Sequence, residues 1–217
     1  MHLEVLVEDQ SGSILVEKIL DKINGQQVNR FTFRIHKFKG SGKLPHELFS
    51  RSDPQKRILL DRLPLLLRGY GKSLDNNSAV IVVVDNDTKN CRDFKQELQS
   101  ILASCNPAPN TAFCIAIEEM EAWLLGDRQA VKTAYPGMKV RVLDHYVQDS
   151  ICGTWEILAD AVCREKASGL KKLGYPEIGI RKSEWMEKIA PNINLERNSS
   201  ESFQYFVRKV QQIIGVA

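Results

Sequence analysis

Two apolar runs in this chain end abruptly in acid: Leu3-Glu4-Val5-Leu6-Val7 leads into Glu8-Asp9, and Ala79-Val80-Ile81-Val82-Val83-Val84 leads into Asp85-Asn86-Asp87. In an open parallel sheet, functional groups collect in the crevice beyond the carboxyl ends of the strands, so pairing of these runs brings Glu8, Asp85 and Asp87 together. Carboxylates gathered in one crevice repel one another unless a hard cation stands between them. Mg2+, with Mn2+ as its alternative, fits such a set, because it keeps several waters and needs only one or two carboxylates beside the phosphate oxygens of a substrate. The chemistry this predicts is phosphodiester cleavage or transfer.

A third apolar run, Ala112-Phe113-Cys114-Ile115-Ala116-Ile117, reads as central like the second and finishes in Glu118-Glu119-Met120-Glu121. Glu118 or Glu119, nearest the strand end, is the expected further metal ligand or acid-base group, with Glu121 third. On a helix, positions 118 and 121 share a face while 119 diverges. Between Arg34 and Lys72 ten Lys or Arg face three acids, whereas from Val82 to Asp127 eight acids face three bases. A basic arm beside an acidic centre suits a polyanion held next to a metal, with Lys37, Lys39, Lys43, Lys56 and Arg57 gripping the backbone of DNA or RNA. Lys39-Gly40-Ser41-Gly42-Lys43 offers backbone amides and charge to a phosphate but lacks the P-loop spacing. The four histidines show no metal-ligand spacing, and the three tryptophans are expected to fill the core, with one left as a platform for a base.

The elements that must position these groups alternate. The first strand is followed by a helix carrying Ile14, Leu15, Ile19, Leu20 and Ile23, with Gln10 to Ser13 as turn and cap residues. A cation-edged strand follows over Phe31 to Phe38. A helix is predicted from near Pro54, kinked or split at Pro64, and another from Cys91 to Ser104. Beyond Asp127 the pattern is helical over Arg128 to Ala134, Thr154 to Cys163, Ser183 to Ile189 and Ser200 to Ile214, broken by Tyr135-Pro136-Gly137, Leu173-Gly174-Tyr175-Pro176 and Ala190-Pro191-Asn192. The expectation is an α/β core over 1–127, a mostly parallel, Rossmann-like sheet of about four strands flanked by helices with a basic insertion near 39–72. A helical appendage over 128–217 packs on it.

Composition is that of an ordinary globular chain, 43% hydrophobic and 26% charged with a net charge of +3. No apolar run approaches the roughly 20 residues of a membrane span, no secretory signal is visible, and five cysteines without a C-x-x-C pair read as reduced thiols. The expected setting is therefore cytoplasmic, with no membrane contact, and a homo-oligomer is compatible with the sequence.

Glu8 after one strand and Asp85-x-Asp87 after another resemble the TOPRIM fold shared by primases, topoisomerases, recombination mediators and the overcoming-lysogenization-defect nucleases. More closely, Leu6-Val7-Glu8-Asp9-Gln10-Ser11-Gly12, Lys39 to Pro45, Val84 to Asp87, Ala116 to Asp127, Gly153-Thr154-Trp155-Glu156 and Asn198 to Phe203 resemble the TOPRIM-related domain of unknown function family 4276. The resemblance implies a prokaryotic Mg2+-dependent nuclease, an effector of phage defence beside an ATPase partner. It makes Glu8 the catalytic acid or base, Asp85 and Asp87 metal ligands, and a lysine, Lys43 first with Lys171, Lys172 and Lys182 behind it, the basic catalytic residue. Asp9 stands where many TOPRIM proteins carry glycine. Two alternatives share these residues: a phosphoacceptor receiver-like signalling domain, and a non-catalytic partner of an ATPase.

Overall fold

Along the strands, apolar side chains alternate between two layers. Leu3, Val5, Val7, Ala79, Ile81, Val83 and Cys114 belong to one buried cluster; Leu6, Val80, Val82, Val84, Phe113 and Ile115 belong to the other. Period-two alternation with both faces buried is what a parallel sheet covered by helices on each side requires. The computed structural model describes residues 1–26, 31–45 and 57–215. Its four strands are β1 (His2–Val7), β2 (Thr32–Lys37), β3 (Ser78–Asp85) and β4 (Thr111–Ala116), all parallel in the order β2-β1-β3-β4.

Helices α1 (Gln10–Gly25), α2 (Leu59–Ser73) and α3 (Cys91–Ala103) connect the strands. From β1 the chain passes through α1 to β2 on one side, and from β3 through α3 to β4 on the other, so the strand order reverses between β1 and β3. α1 lies in the first apolar layer, while α2 and α3 lie in the second. The crevice that opens at such a reversal is where α/β sheets bind their ligands. Val7 and Val83 stand in register on the two inner strands, so Glu8, one residue past Val7, and Asp85, two past Val83, emerge at the same end of the sheet.

After β4 come α4 (Glu121–Leu125), α5 (Arg128–Ala134), α6 (Val140–Asp144), α7 (Thr154–Val162), α8 (Lys166–Leu173), α9 (Tyr175–Ile189) and α10 (Glu201–Ile213). Their Trp185, Ile189, Phe203 and Phe206 share the first apolar cluster with Ile19, Ile81 and Trp123, so the helices beyond residue 128 extend the sheet's own core. Of the tryptophans, Trp123 and Trp185 are buried and Trp155 is half-buried.

Four sequence expectations change. The cap of α1 is Asp9, whose carboxylate accepts the Gly12 N–H at 2.7 Å, so residues 10–13 form the first helical turn and not a separate turn. α2 runs through Pro64 without splitting; proline in an early turn removes a single backbone donor. Pro176 opens α9 instead of breaking it, since proline suits the first helical turn, and the helix therefore starts well before Ser183. The strand that reads as central in the sequence, β4, is an edge; α3 and α10 cover its two faces and make it apolar on both sides. The predicted helix start near Pro54 lies outside the described residues, as does Lys56. All five cysteines are free thiols, and no described helix is long and apolar enough to cross a membrane.

Candidate active site at the strand reversal

Glu8 and Asp85 meet at the reversal point: the Asp85 N–H donates to Glu8 Oε2 at 3.2 Å. The Gly40 N–H donates to the Glu8 carbonyl at 3.0 Å, and the Ser41 N–H reaches the Glu8 carboxylate. In the same loop Lys39 N–H donates to the Arg57 carbonyl at 2.9 Å, Lys43 N–H to Asp61 Oδ1 at 3.3 Å, and the Gly40 and Ser41 carbonyls accept the first amides of α2. Four of the amides expected to cradle a phosphate, those of Lys39, Gly40, Ser41 and Lys43, are thus spent on Arg57, Glu8 and Asp61. Gly42 makes the turn possible, with φ at +70°; a Cβ at this position would meet Ile58 Cγ2 at 2.1 Å.

Burial dominates the electrostatics of the crevice. It raises the proton affinity of Glu8, helped by Asp87 and Asp9 and opposed by the Asp85 N–H. It raises that of Asp85 much further, with Glu8, Glu121 and Asp9 adding repulsion and Lys182 working against them. Asp85 Oδ1 is buried and has no hydrogen-bond partner. Glu121, at 1% exposure, is pushed by burial up to about 7 even though Lys182 stands 3.2 Å away. Lys182 Nζ also contacts Glu119 Oε1 at 3.1 Å. Burial alone would lower the lysine, but Glu121, Glu119 and Asp85 outweigh it and hold it far above its ordinary range.

The expected site residues divide between the crevice and its surroundings. Glu8 and Asp85 are brought together at the crevice floor, and Asp87 sits exposed at its rim with φ +49°, its N–H bound to the Glu118 carbonyl at 2.9 Å. Glu118 takes φ +58°, a conformation that costs a non-glycine residue about 1 kcal/mol. That turn ends the helical spacing assumed for residues 118–121. The Glu118 carboxylate leaves the crevice and accepts the N–H groups of Cys152, Gly153 and Thr154 at the start of α7. Glu119 and Glu121 meet instead through Lys182, so Glu121, third in the sequence order of preference, is the buried member of the set. Its visible signal is an acid directly ahead of the wholly buried Ala122-Trp123-Leu124-Leu125.

Lys43 is exposed, and Lys182 is the lysine that sits among the carboxylates. Lys37, Lys39 and Arg57 are exposed and gathered beside Glu8: the Arg57 guanidinium donates to the Lys37 carbonyl at 3.1 Å, and Lys37 Nζ donates to Gln10 Oε1.

Among the described residues no group of three or more His, Cys, Asp or Glu is gathered so as to hold a metal by itself. Mg2+ does not require one, since waters and substrate oxygens complete its shell. Glu8 and Asp85 as a pair, the unpartnered Asp85 Oδ1 and the excess of buried acid over Lys182 fit a small divalent cation.

The family described as "Domain of unknown function (DUF4276)" matches residues 7–211. No curated protein and no solved structure matches this chain.

Proposed function

The chain belongs to that DUF4276 family, and from this premise we propose that it is a Mg2+-dependent enzyme of phosphodiester cleavage or transfer on nucleic acid. One observation carries the reading: at the strand reversal, Asp85 keeps a buried oxygen without a partner beside Glu8, and both carboxyls bind protons more tightly than usual. Asp85 and Glu8, with Asp87 at the rim, would hold the cation, which when bound neutralises phosphate charge and stabilises the attacking and leaving oxygens. Glu8, held by the Asp85 and Ser41 amides, is placed to accept a proton from the attacking hydroxyl or water and to return it to the leaving oxygen. Lys182 Nζ offers a fixed positive charge to the phosphate. Lys37, Lys39 and Arg57 grip the nucleic-acid backbone without reading its sequence.

The test is incubation of linear and circular DNA and of RNA with the purified protein in Mg2+, in Mn2+ and in chelator, alone and together with a partner ATPase. Cleavage confined to the metal-containing reactions, lost by at least a hundredfold in Asp85→Asn while nucleic-acid binding persists, supports the reading. Metal-independent cleavage overturns it. So does a labile aspartyl phosphate formed from acetyl phosphate, which belongs to the phosphoacceptor alternative.

A further inference from the structure

The crevice does not end at its carboxylates. A cavity of about 540 Å³ is lined by Asp9, Glu119 and Lys182 from the acidic cluster and also by Trp155, Lys171 and Tyr175. That volume lies within the range of sites that enclose a small ligand, and it exceeds what one nucleotide needs. We propose that this cavity takes an unpaired nucleotide of a single strand, its base stacked on Trp155 and Tyr175 and its phosphate turned toward the carboxylates and Lys182. The proposal rests on the phosphodiester reading above and names the substrate of that same site.

Four features point the same way. Tyr175 is 88% exposed at the head of α9, immediately after Gly174 at φ +90°, so a large aromatic ring stands in water beside a cavity instead of in the core. Trp155 is joined to the acidic cluster, its backbone N–H donating to Glu119 Oε2 at 3.3 Å, and Lys171 Nζ lies 5.5 Å from its ring centroid. Ring faces flanked by a cation are sequence-tolerant platforms for an unstacked base, whereas bases inside a duplex present no free face. Finally, a neighbouring cavity of about 710 Å³ shares Asp9 and Gly179 with the first and continues to Phe38 and Lys39, so a strand has a route from the basic arm to the aromatic wall.

Charge sets the direction of entry. Asp9, Glu119 and Glu156 outnumber Lys171 and Lys182 in the cavity, so phosphate enters together with a divalent cation and the uncharged base goes to the rings.

Gly179 offers a way to fill the cavity without damage to the fold. A Cβ built there meets no atom within 4 Å, so a larger side chain projects into open space, and within a helix it is also favoured over glycine. Tyr175→Ala is equally mild, because the ring is exposed. Since Trp123 and Trp185 are buried at 0% and 1% exposure, quenching of intrinsic fluorescence reports Trp155.

The experiment titrates the full chain in Mg2+ with a phosphorothioate thymidine octanucleotide, with a blunt-ended, GC-rich phosphorothioate duplex and with thymidine monophosphate, following tryptophan emission. Saturable quenching by the octanucleotide, weakened about tenfold in Tyr175→Ala and abolished in Gly179→Leu, supports the proposal. Equal quenching by the duplex, or wild-type affinity in Gly179→Leu, overturns it. Binding of the mononucleotide as tight as that of the octanucleotide overturns the strand as source. A change of oligomeric state in Tyr175→Ala, seen by sedimentation, assigns the ring to a protein contact and also overturns it. The binding readout is independent of cleavage, so an inactive protein that still quenches with the octanucleotide alone would fail the proposed function and keep this one.

Discussion

Asp127 and Glu121 lie six positions apart, each at 1% exposure, and the protein surrounds them in opposite ways. At the corner between α4 and α5, Asp127 Oδ1 accepts the Ala130 N–H and Arg197 Nε, both at 3.1 Å, while Oδ2 accepts the Asn194 N–H and Arg197 Nη2, both at 2.9 Å. Burial works against its charge, but Arg197 and the two amides prevail and hold its carboxyl below the ordinary range. The neighbouring Gly126 lets this corner close, since a Cβ there would meet Asn198 Oδ1 at 2.1 Å. Glu121 has one lysine, shared with Glu119 and 3.2 Å from its Oε2, and its Oε1 has no hydrogen-bond partner. A fully satisfied carboxylate stabilises a fold, and an under-satisfied one stores affinity for a proton or a cation. Burial alone therefore does not assign a role to an acid; the number of donors around it does.

The largest stability effect belongs to the satisfied acid. Asp127→Ala removes a helix cap and strands the Asn194 and Ala130 amides, at a cost of about 3 kcal/mol by urea unfolding. It should leave the crevice chemistry intact once the protein is folded. An unfolding midpoint equal to wild type would dissolve the contrast between the two regions.

Next comes cation binding. Mg2+ at a hundredfold excess over its dissociation constant should stabilise the wild type by about 2.7 kcal/mol, a rise in Tm of roughly 5–10 °C. Asp127→Ala should show the same rise from its lower starting point, and Asp85→Asn none. Equal shifts in wild type and Asp85→Asn would remove the crevice from metal binding altogether.

What is legible in this sequence is what is written in runs. β1 and β3 each announce themselves as apolar stretches closed by acid, so the amino-acid order alone brings Glu8 and Asp85 to attention. β4 shows the limit of that signal: α3 and α10 cover both its faces, and an edge strand then carries the same apolar run as a central one. Lys182 is one lysine among several in the sequence because its position depends on α9 beginning at Tyr175, and Pro176 reads equally as a stop or as a first turn. Glu118 and Glu121 exchange importance because one residue at φ +58° cancels the helical spacing that would set their faces. Pairings between residues 63 positions apart, such as Lys182 with Glu119, leave no local pattern to read.

The smallest of the expected effects separates the two acids by the sign of their pH dependence. Burial lifts Glu121 from 4.5 to about 7, so the folded state holds this proton more tightly than the unfolded chain does. Its contribution to stability is therefore greatest below 4.5, declines as the pH rises from 4.5 to about 7, and is flat above. Asp127 runs the other way: lowered in the folded state, it contributes above its unfolded value of 3.8 and loses that contribution as the pH falls. In metal-free buffer Glu121→Gln should gain about 1–2 kcal/mol near pH 8 and nothing near pH 4, because the amide carries no charge to bury yet inherits the same shortage of partners. The slope between those limits should shrink without vanishing, since Asp85 and Glu8 are raised in the same sense. Stability curves for wild type and Glu121→Gln that stay parallel from acid to alkali would mean that this carboxyl is no more frustrated than Asp127.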